Sequence, residues 1–302
     1  MKRVILTGAT GAIGTALIEN LIKNGIEILV LMREGSAREA NIIKHPLVSV
    51  KNCSLENLKT LKNDTGKEYD VFYHFAWSGT FGNARNDMYL QNKNVEYTLD
   101  AVSAAKEFGC KTFIGAGSQA EYGRFEGVLK PDTPVFPENG YGIAKLCAGQ
   151  MSREYAHQLG IKHIWIRILS IYGPNDGTQT MVMSTIEKLK NGRLAEFTKG
   201  EQLWDYLYSA DAAEAFRLLG EKGKDGKVYV LGSGQTKPLY EYINIIAEQL
   251  NGKDLINIGA IPYAEKQVMH LCADISELKN DVGWEPKTEF KNGIKKILES
   301  IN

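Results

Sequence analysis

Residues 3–14 read Arg3-Val4-Ile5-Leu6-Thr7-Gly8-Ala9-Thr10-Gly11-Ala12-Ile13-Gly14, a short β-branched apolar run that stops on a glycine and continues as GxxGxxG. Ile13, Leu17, Leu21 and Ile22 then recur on one face at helical spacing. A buried strand followed by a glycine turn and a helix start is a phosphate cradle: the glycines allow a close backbone approach, and the helix N-terminus offers free amides and a positive dipole end to a pyrophosphate. This reading places Gly8, Thr10, Gly11, Ala12, Ile13 and Gly14 against a dinucleotide.

The pattern continues outward from the cradle. Runs at Arg3 to Thr7, Glu27 to Met32, Val48 to Asn52, Val71 to Phe75, Lys111 to Ala116 and His163 to Ile168 read as strands, with helices over Gly11 to Asn24, Asn86 to Glu107 and Tyr141 to Leu159 between them. Near-continuous apolar strands alternating with helices predict an α/β protein with a doubly wound parallel sheet. After Tyr172-Gly173-Pro174 the alternation loosens: helix Thr180 to Asn191, a strand near Leu203 to Tyr208, helix Ala210 to Leu219 and a strand near Val228 to Leu231. The expected division is a dinucleotide-binding domain over 1–175 and a smaller substrate-binding lobe over 176–302, with chain crossings between the two.

The 302 residues include 36 Lys plus Arg and 36 Asp plus Glu, so no net field draws nucleic acid or an anionic membrane. The N-terminal apolar run is broken by Gly8, short of the ~20 residues a membrane span needs, and reads as neither a signal peptide nor an anchor. Cys53, Cys110, Cys147 and Cys272 lack metal-ligand spacing, and read as reduced thiols in a cytoplasmic protein. No metal site is expected, and a homodimer is the expected assembly.

The second strand ends in Leu31-Met32-Arg33-Glu34, where an NAD site usually places an acid for the ribose 2′-hydroxyl. Arg33 can pair instead with a 2′-phosphate, which favours NADP. NAD stays open if Arg33 is only a solvated charge and Glu34 meets the ribose.

Tyr141-Gly142-Ile143-Ala144-Lys145 has YxxxK spacing, behind Asn139 as a candidate helix cap. Residues four apart share a helical face, so phenol and ammonium can enter one cleft, where a neighbouring cation favours phenolate. Ser118 follows the strand from Lys111 and stands where doubly wound sheets bind ligands. Ser118, Tyr141 and Lys145 are the candidate catalytic residues.

Taken in order, GxxGxxG, His74-Phe75-Ala76, Asn94-Val95, Ser118 with Tyr122-Gly123, Tyr141 with Lys145, Arg167, Tyr172-Gly173-Pro174 and Gly283-Trp284-Glu285-Pro286 resemble the extended short-chain dehydrogenase/reductases that modify nucleotide sugars. The resemblance spans nearly the whole chain. It implies a Rossmann fold, Ser118 and Tyr141 on the reacting oxygen, Tyr141 and Lys145 beside the nicotinamide ribose, and Phe75, Ala76 and Trp77 along the cofactor. Asn94 would support the central helix, and Ser78 and Gln119 would face the substrate, a nucleotide-diphosphate sugar; Trp204, by its own chemistry, reads either as a ring that stacks on the substrate's base or sugar or as a core tryptophan.

Family branches differ after the serine. Where 4,6-dehydratases carry an Asp-Glu pair this chain has Gln119 and Ala120, and the cysteine of GDP-fucose epimerase-reductases is also missing at Ala120. Direct hydride transfer at one carbon remains. It takes one of two forms: NADPH reduction of a 4-keto-6-deoxyhexose, or 4-epimerisation with tightly held NAD. The stretches around Ser118 and Trp77 are most similar to the reductase branch that includes CDP-abequose synthase. A binding module that had lost its chemistry would have no need of Ser118, Tyr141 and Lys145 together. In the lobe, Trp204 stands where relatives place an arginine on the substrate pyrophosphate, and Ser170 where they place an asparagine. Asp211 is expected to cap the helix it opens.

Overall fold

A computed structural model describes residues 1–301. Seven strands, β1 (Arg3–Thr7), β2 (Glu27–Met32), β3 (Val48–Asn52), β4 (Val71–His74), β5 (Thr112–Ser118), β6 (Lys162–Ile168) and β11 (Val228–Leu231), form one sheet in the order β11-β6-β5-β4-β1-β2-β3. Every pairing in it is parallel. The order reverses between β1 and β4, the position where a doubly wound sheet leaves a crevice at its carboxyl edge.

Alternate residues of the buried strands point to opposite faces and build two cores. Val4 and Leu6 meet Leu17 and Leu21 of helix α1 (Ala12–Lys23) and Phe216 and Leu219 of α5 (Ser209–Lys222). Ile5 and Phe72 meet Ala101 and Ala105 of α2 (Met88–Glu107) and Ala156 of α3 (Gly140–Gln158). The glycines of β5 have a packing reason: a Cβ at Gly115 would lie 2.2 Å from the Trp165 ring, and one at Gly117 2.4 Å from its indole nitrogen. Trp165 therefore lies flat across the strand that leads to Ser118.

The remaining α-helices are α4 (Met181–Lys190), α6 (Leu239–Gln249), α7 (Ser276–Val282) and α8 (Phe290–Ser300), and the short strands are β7 (Ser170–Tyr172), β8 (Ala195–Phe197), β9 (Leu203–Trp204), β10 (Tyr206–Tyr208), β12 (Lys237–Pro238) and β13 (Ile256–Ile258); short 3-10 helices lie between elements, among them Gly82–Asn86 ahead of α2 and Gln119–Glu121 after β5. These strands pair two by two, β10 with β7, β12 with β9 and β13 with β8. Tyr172, Ile186, Ile246 and Ile294 are among the residues of a separate core. Between these pieces the chain returns to the large sheet, because α5 packs on α1 and β11 extends β6.

Some boundaries differ from the sequence reading, with local causes. β5 runs two residues past Ala116, so Ser118 is its last residue, and β4 stops at His74, leaving Phe75 in the following loop. The strand expected over Leu203 to Tyr208 is two strands parted by Asp205. Its buried carboxylate leaves the ladder to accept hydrogen bonds from the Ser233 amide and hydroxyl, the Gly234 amide and the Ala273 amide.

Among the described residues no helix is long and apolar enough to cross a membrane, and no three His, Cys, Asp or Glu side chains gather as a metal site. All four cysteines are free.

Candidate active site

The cradle is locked from below and open above. Gly8 has φ 72°, and a Cβ there would stand 2.6 Å from the Ala76 amide nitrogen; one at Gly14 would stand 2.4 Å from the Gly8 carbonyl oxygen. Thr7 Oγ1 accepts from the amides of Phe75 at 3.2 Å and Ala76 at 3.3 Å, and pairs with His74 Nδ1 at 2.9 Å. The ends of β1 and β4 are thus joined directly, and Phe75 and Ala76 border the turn. Burial pushes the His74 imidazole down to about 3, so it is neutral at physiological pH. Gly11 is the N-cap of α1. It has an extended backbone, no side-chain cap, no acid in the first turn and nothing within 4 Å of where its Cβ would be. Thr10 is held through its carbonyl by Asn41 Nδ2 at 3.0 Å.

A cavity of about 280 Å³ opens here, lined by Gly11, Ala12, Arg38, Phe81, Asn175 and Thr178 among others. A helix start whose amides carry no side-chain cap, facing open space, fits a dinucleotide pyrophosphate. The sequence reading missed Arg38, whose Nη2 donates to the Asn175 carbonyl at 2.6 Å across the cavity. Arg33 stands exposed one residue beyond β2, next to Glu34, and is not among the residues lining the cavity.

The loop after β4 is fastened to α2. Asn94 Oδ1 accepts the Ser78 amide at 2.9 Å while its Nδ2 donates to the Ser78 carbonyl at 2.9 Å. Gln91 Nε2 donates to the Gly79 and Ala84 carbonyls at 2.8 and 2.9 Å, and its Oε1 accepts from Trp77 Nε1 at 2.9 Å. Asn94 thus supports the loop that carries Trp77 and Ser78, by bonds to main chain.

Ser118, Tyr141 and Lys145 are brought together. Ser118 ends β5; its hydroxyl accepts the Ala120 amide at 3.2 Å and lies near enough to Tyr141 to favour ionisation of the phenol. Asn139 caps α3 by accepting the Gly142 amide at 2.8 Å, and the Gly140 amide donates to Asn86 Oδ1 at 3.0 Å. A Cβ on Gly142 would meet the Ala120 carbonyl oxygen at 2.3 Å, so the first turn of α3, with Tyr141, is held against the turn after Ser118.

Burial raises the Tyr141 phenol above its ordinary range; the Ser118 hydrogen bond and the positive charge of Arg85 pull it down, and the negative Glu121 adds to the rise. Lys145 is buried, donates to the Ala116 carbonyl at 2.6 Å and lies 3.8 Å from the Trp77 ring centroid. Burial pushes its ammonium down to about 7, against an opposing pull from Glu121. Lys145 shares the cleft but stays 5.8 Å from the Tyr141 ring, whereas Arg85 lies at 4.3 Å, so the nearer cation comes from a residue the sequence reading passed over.

Gln119 is half-buried and Ala120 buried in the short turn beyond Ser118. Glu121 is fully buried, accepting from the Ser118 amide at 2.8 Å, Trp165 Nε1 at 3.0 Å and Arg167 Nε at 2.7 Å. Three donors hold it in place, and it braces the serine.

The two departures noted in the sequence touch each other: Trp204 Nε1 donates to Ser170 Oγ at 2.8 Å. Trp204 also packs against the cluster of Tyr122, Leu129, Leu169 and Val230. Asp211 does not cap α5. Its carboxylate accepts the amides of Lys287 and Thr288 and the Thr288 hydroxyl, because the helix begins two residues earlier at Ser209.

The sequence model of the NAD dependent epimerase/dehydratase family matches residues 4–232. CDP-abequose synthase of Salmonella typhimurium is 24% identical over 305 residues, covering 99% of this chain and 98% of that protein. A putative UDP-glucose 4-epimerase of Methanocaldococcus jannaschii is 24% identical, covering 98% and 97%. Among solved structures, UDP-glucose 4-epimerase of Thermotoga maritima with UDP-glucose superposes with a TM-score of 0.87 at 23% identity, covering 99% of this chain and 98% of that one. A dTDP-glucose 4,6-dehydratase of Streptomyces venezuelae with NAD bound gives 0.85 at 18% identity, covering 98% and 96%.

Proposed function

Because this chain belongs to the NAD dependent epimerase/dehydratase family, enzymes of the extended short-chain dehydrogenase/reductase type, we propose that it reduces a 4-keto-6-deoxyhexose carried on a nucleotide diphosphate, using NADPH, with Tyr141 as proton donor. The observation that carries the reading is the proton-transfer set. One phenol stands beside Ser118 and a turn whose residues Gln119 and Ala120 have no acid–base group and whose Glu121 is held in a buried pair.

The family's cofactor, when bound, supplies a hydride to the keto carbon. Tyr141 gives its proton to the oxygen left behind, and Ser118 holds that oxygen by a hydrogen bond. Burial favours the protonated phenol, the form a donor needs in the direction of reduction. Lys145 would hold the nicotinamide ribose, Trp77 would border it, the turn from Gly8 to Gly14 would hold the pyrophosphate, and Arg33 the 2′-phosphate. Ser78 and Gln119, in the segments that follow β4 and β5, and the ring of Trp204 would meet the nucleotide sugar, with residues 1–175 carrying the cofactor and most of 176–302 the substrate. We take a homodimer as the working assembly, which light scattering would measure.

The test is purified protein with NADPH and a nucleotide-linked 4-keto-6-deoxyhexose. Loss of the reduced-nicotinamide absorbance is expected. Nicotinamide that copurifies, with ring epimerisation and no net oxidation, would replace this reading by a 4-epimerase with tightly bound NAD.

A further inference from the structure

Just ahead of α2 lies a short turn, residues 82–87, that the cofactor and substrate assignments leave without a role. Its arginine, Arg85, is half-buried, with its guanidinium carbon 4.3 Å from the Tyr141 ring centroid. The position is held from several sides. Arg85 Nη1 donates to the Thr80 carbonyl at 3.1 Å, Gln91 clasps the carbonyls of Gly79 and Ala84, and the next residue, Asn86, accepts the Gly140 amide at the first turn of α3. The backbone that carries Arg85 is therefore tied to the helix that carries Tyr141, and the guanidinium itself is held by the Thr80 carbonyl.

We propose that Arg85 is a positioning residue for proton transfer at Tyr141, its guanidinium supplying the positive charge nearest the phenol ring and favouring loss of the phenol proton. The inference rests on Tyr141 being the proton donor. The groups facing the phenol come from four elements: Ser118 at the end of β5, Glu121 in the turn after it, Lys145 on α3, and Arg85 from the turn ahead of α2, with Trp77 edge-on to the ring at 6.1 Å. Burial and Glu121 oppose ionisation while Ser118 and Arg85 favour it. Lys145 is turned to the Ala116 carbonyl and the Trp77 face. Cation, ring, ring and cation thus follow one another from Arg85 through Tyr141 and Trp77 to Lys145. A guanidinium stays charged throughout the working range, whereas Lys145, pushed down to about 7, does not. Arg85 keeps a fixed charge on the phenol in either protonation state of the lysine.

The test reads the phenol directly. Protein labelled with carbon-13 at the tyrosine ring carbon bearing the hydroxyl is titrated by NMR as wild type, Arg85→Met, Arg85→Gln and Arg85→Lys, with Tyr141→Phe identifying the resonance. Either neutral variant is expected to move the Tyr141 midpoint up by ~1 unit or more, the low end of the effect of an opposite charge a few ångströms away, and Arg85→Lys to restore at least half of that. A wild-type phenol that does not ionise ahead of the neutral variants, up to the pH of unfolding, overturns the proposal. So does a lysine variant that behaves like methionine, since charge would then not be the cause. NADPH turnover on the same proteins separates this from the reductase reading. A phenol shift without turnover removes the reductase and keeps the coupling of Arg85 to Tyr141, whereas turnover without a shift removes only the role of Arg85.

Discussion

Helix α1 begins on Gly11 with no side-chain cap and open space above it, whereas helix α3 begins on Asn139, whose carboxamide takes the Gly142 amide while Asn86 takes that of Gly140. Both starts stand at the carboxyl edge of the sheet. The first leaves its amides and dipole to a guest, and the second spends them on its own chain to hold one phenol still. The difference separates receiving from positioning, so damage at the two ends should have different symptoms.

The largest effect is expected at the closed end. Tyr141→Phe should cut turnover by ~100-fold or more while cofactor titrations stay unchanged, since a positioned acid contributes at least that much. An active phenylalanine enzyme would break the assignment. One turn further along α3, Lys145 sits at about 7 when folded against an ordinary 10.5. A lysine lowered on folding weakens the fold fully below the folded value and is relieved as pH rises toward the unfolded one. Against Lys145→Met, the cofactor-free wild type should therefore gain stability on the order of a few kcal/mol between those pH values, read from urea unfolding curves. A flat difference would mean the ammonium is not desolvated.

At the open end, Arg33→Ala should weaken NADPH by roughly tenfold to a hundredfold and leave NADH nearly unchanged, because charge-assisted bonds to a 2′-phosphate are worth about 1.5 to 3 kcal/mol each. An unchanged ratio would detach Arg33 from the cofactor and move the epimerase reading ahead. The smallest effects sharpen the contrast most. Gly11→Ala, at an extended backbone position with free space for the methyl group, should leave thermal stability almost untouched yet weaken the cofactor roughly tenfold, or ~1.4 kcal/mol. Asn139→Ala should cost about 1 kcal/mol of stability, as lost caps do, and leave cofactor binding alone. Matching outcomes from the pair would show that the two helix starts do the same work.

What could be read from sequence was whatever is local. Gly8 to Gly14 announce themselves because one turn fixes their spacing, and Tyr141 with Lys145 because one helix does. Ser118 needed only a strand and its end, although the strand runs two residues further than its apolar run suggests because Gly115 and Gly117 make way for Trp165. Arg85 gave no such sign. It lies in a 3-10 turn, Gly82–Asn86, too short to show a periodicity, and the backbone that carries it is placed by Gln91 and Asn86 reaching other segments; an asparagine and a glutamine flanking the start of α2 were the available hint. Trp204 and Ser170 were each noticed as departures, but their contact spans 34 residues of sequence. Asp211 looked like a cap because it opens a helical pattern, and only the fold shows residues 287–288 arriving to use its carboxylate.

The return of the chain to the sheet through α5 and β11 also sets an order of events in synthesis. Helix α1 is made among the first residues, but the partner that covers it, α5, ends at Lys222. At ~5–20 residues per second, the apolar face of α1 waits roughly 10 to 40 s for that cover, and β6 waits as an open edge for β11. Nascent chains halted at residue 175 should therefore be cut readily by protease and held by chaperones, whereas chains released after residue 231 should resist. If both lengths resisted equally, the first 175 residues would already close their own core on the ribosome.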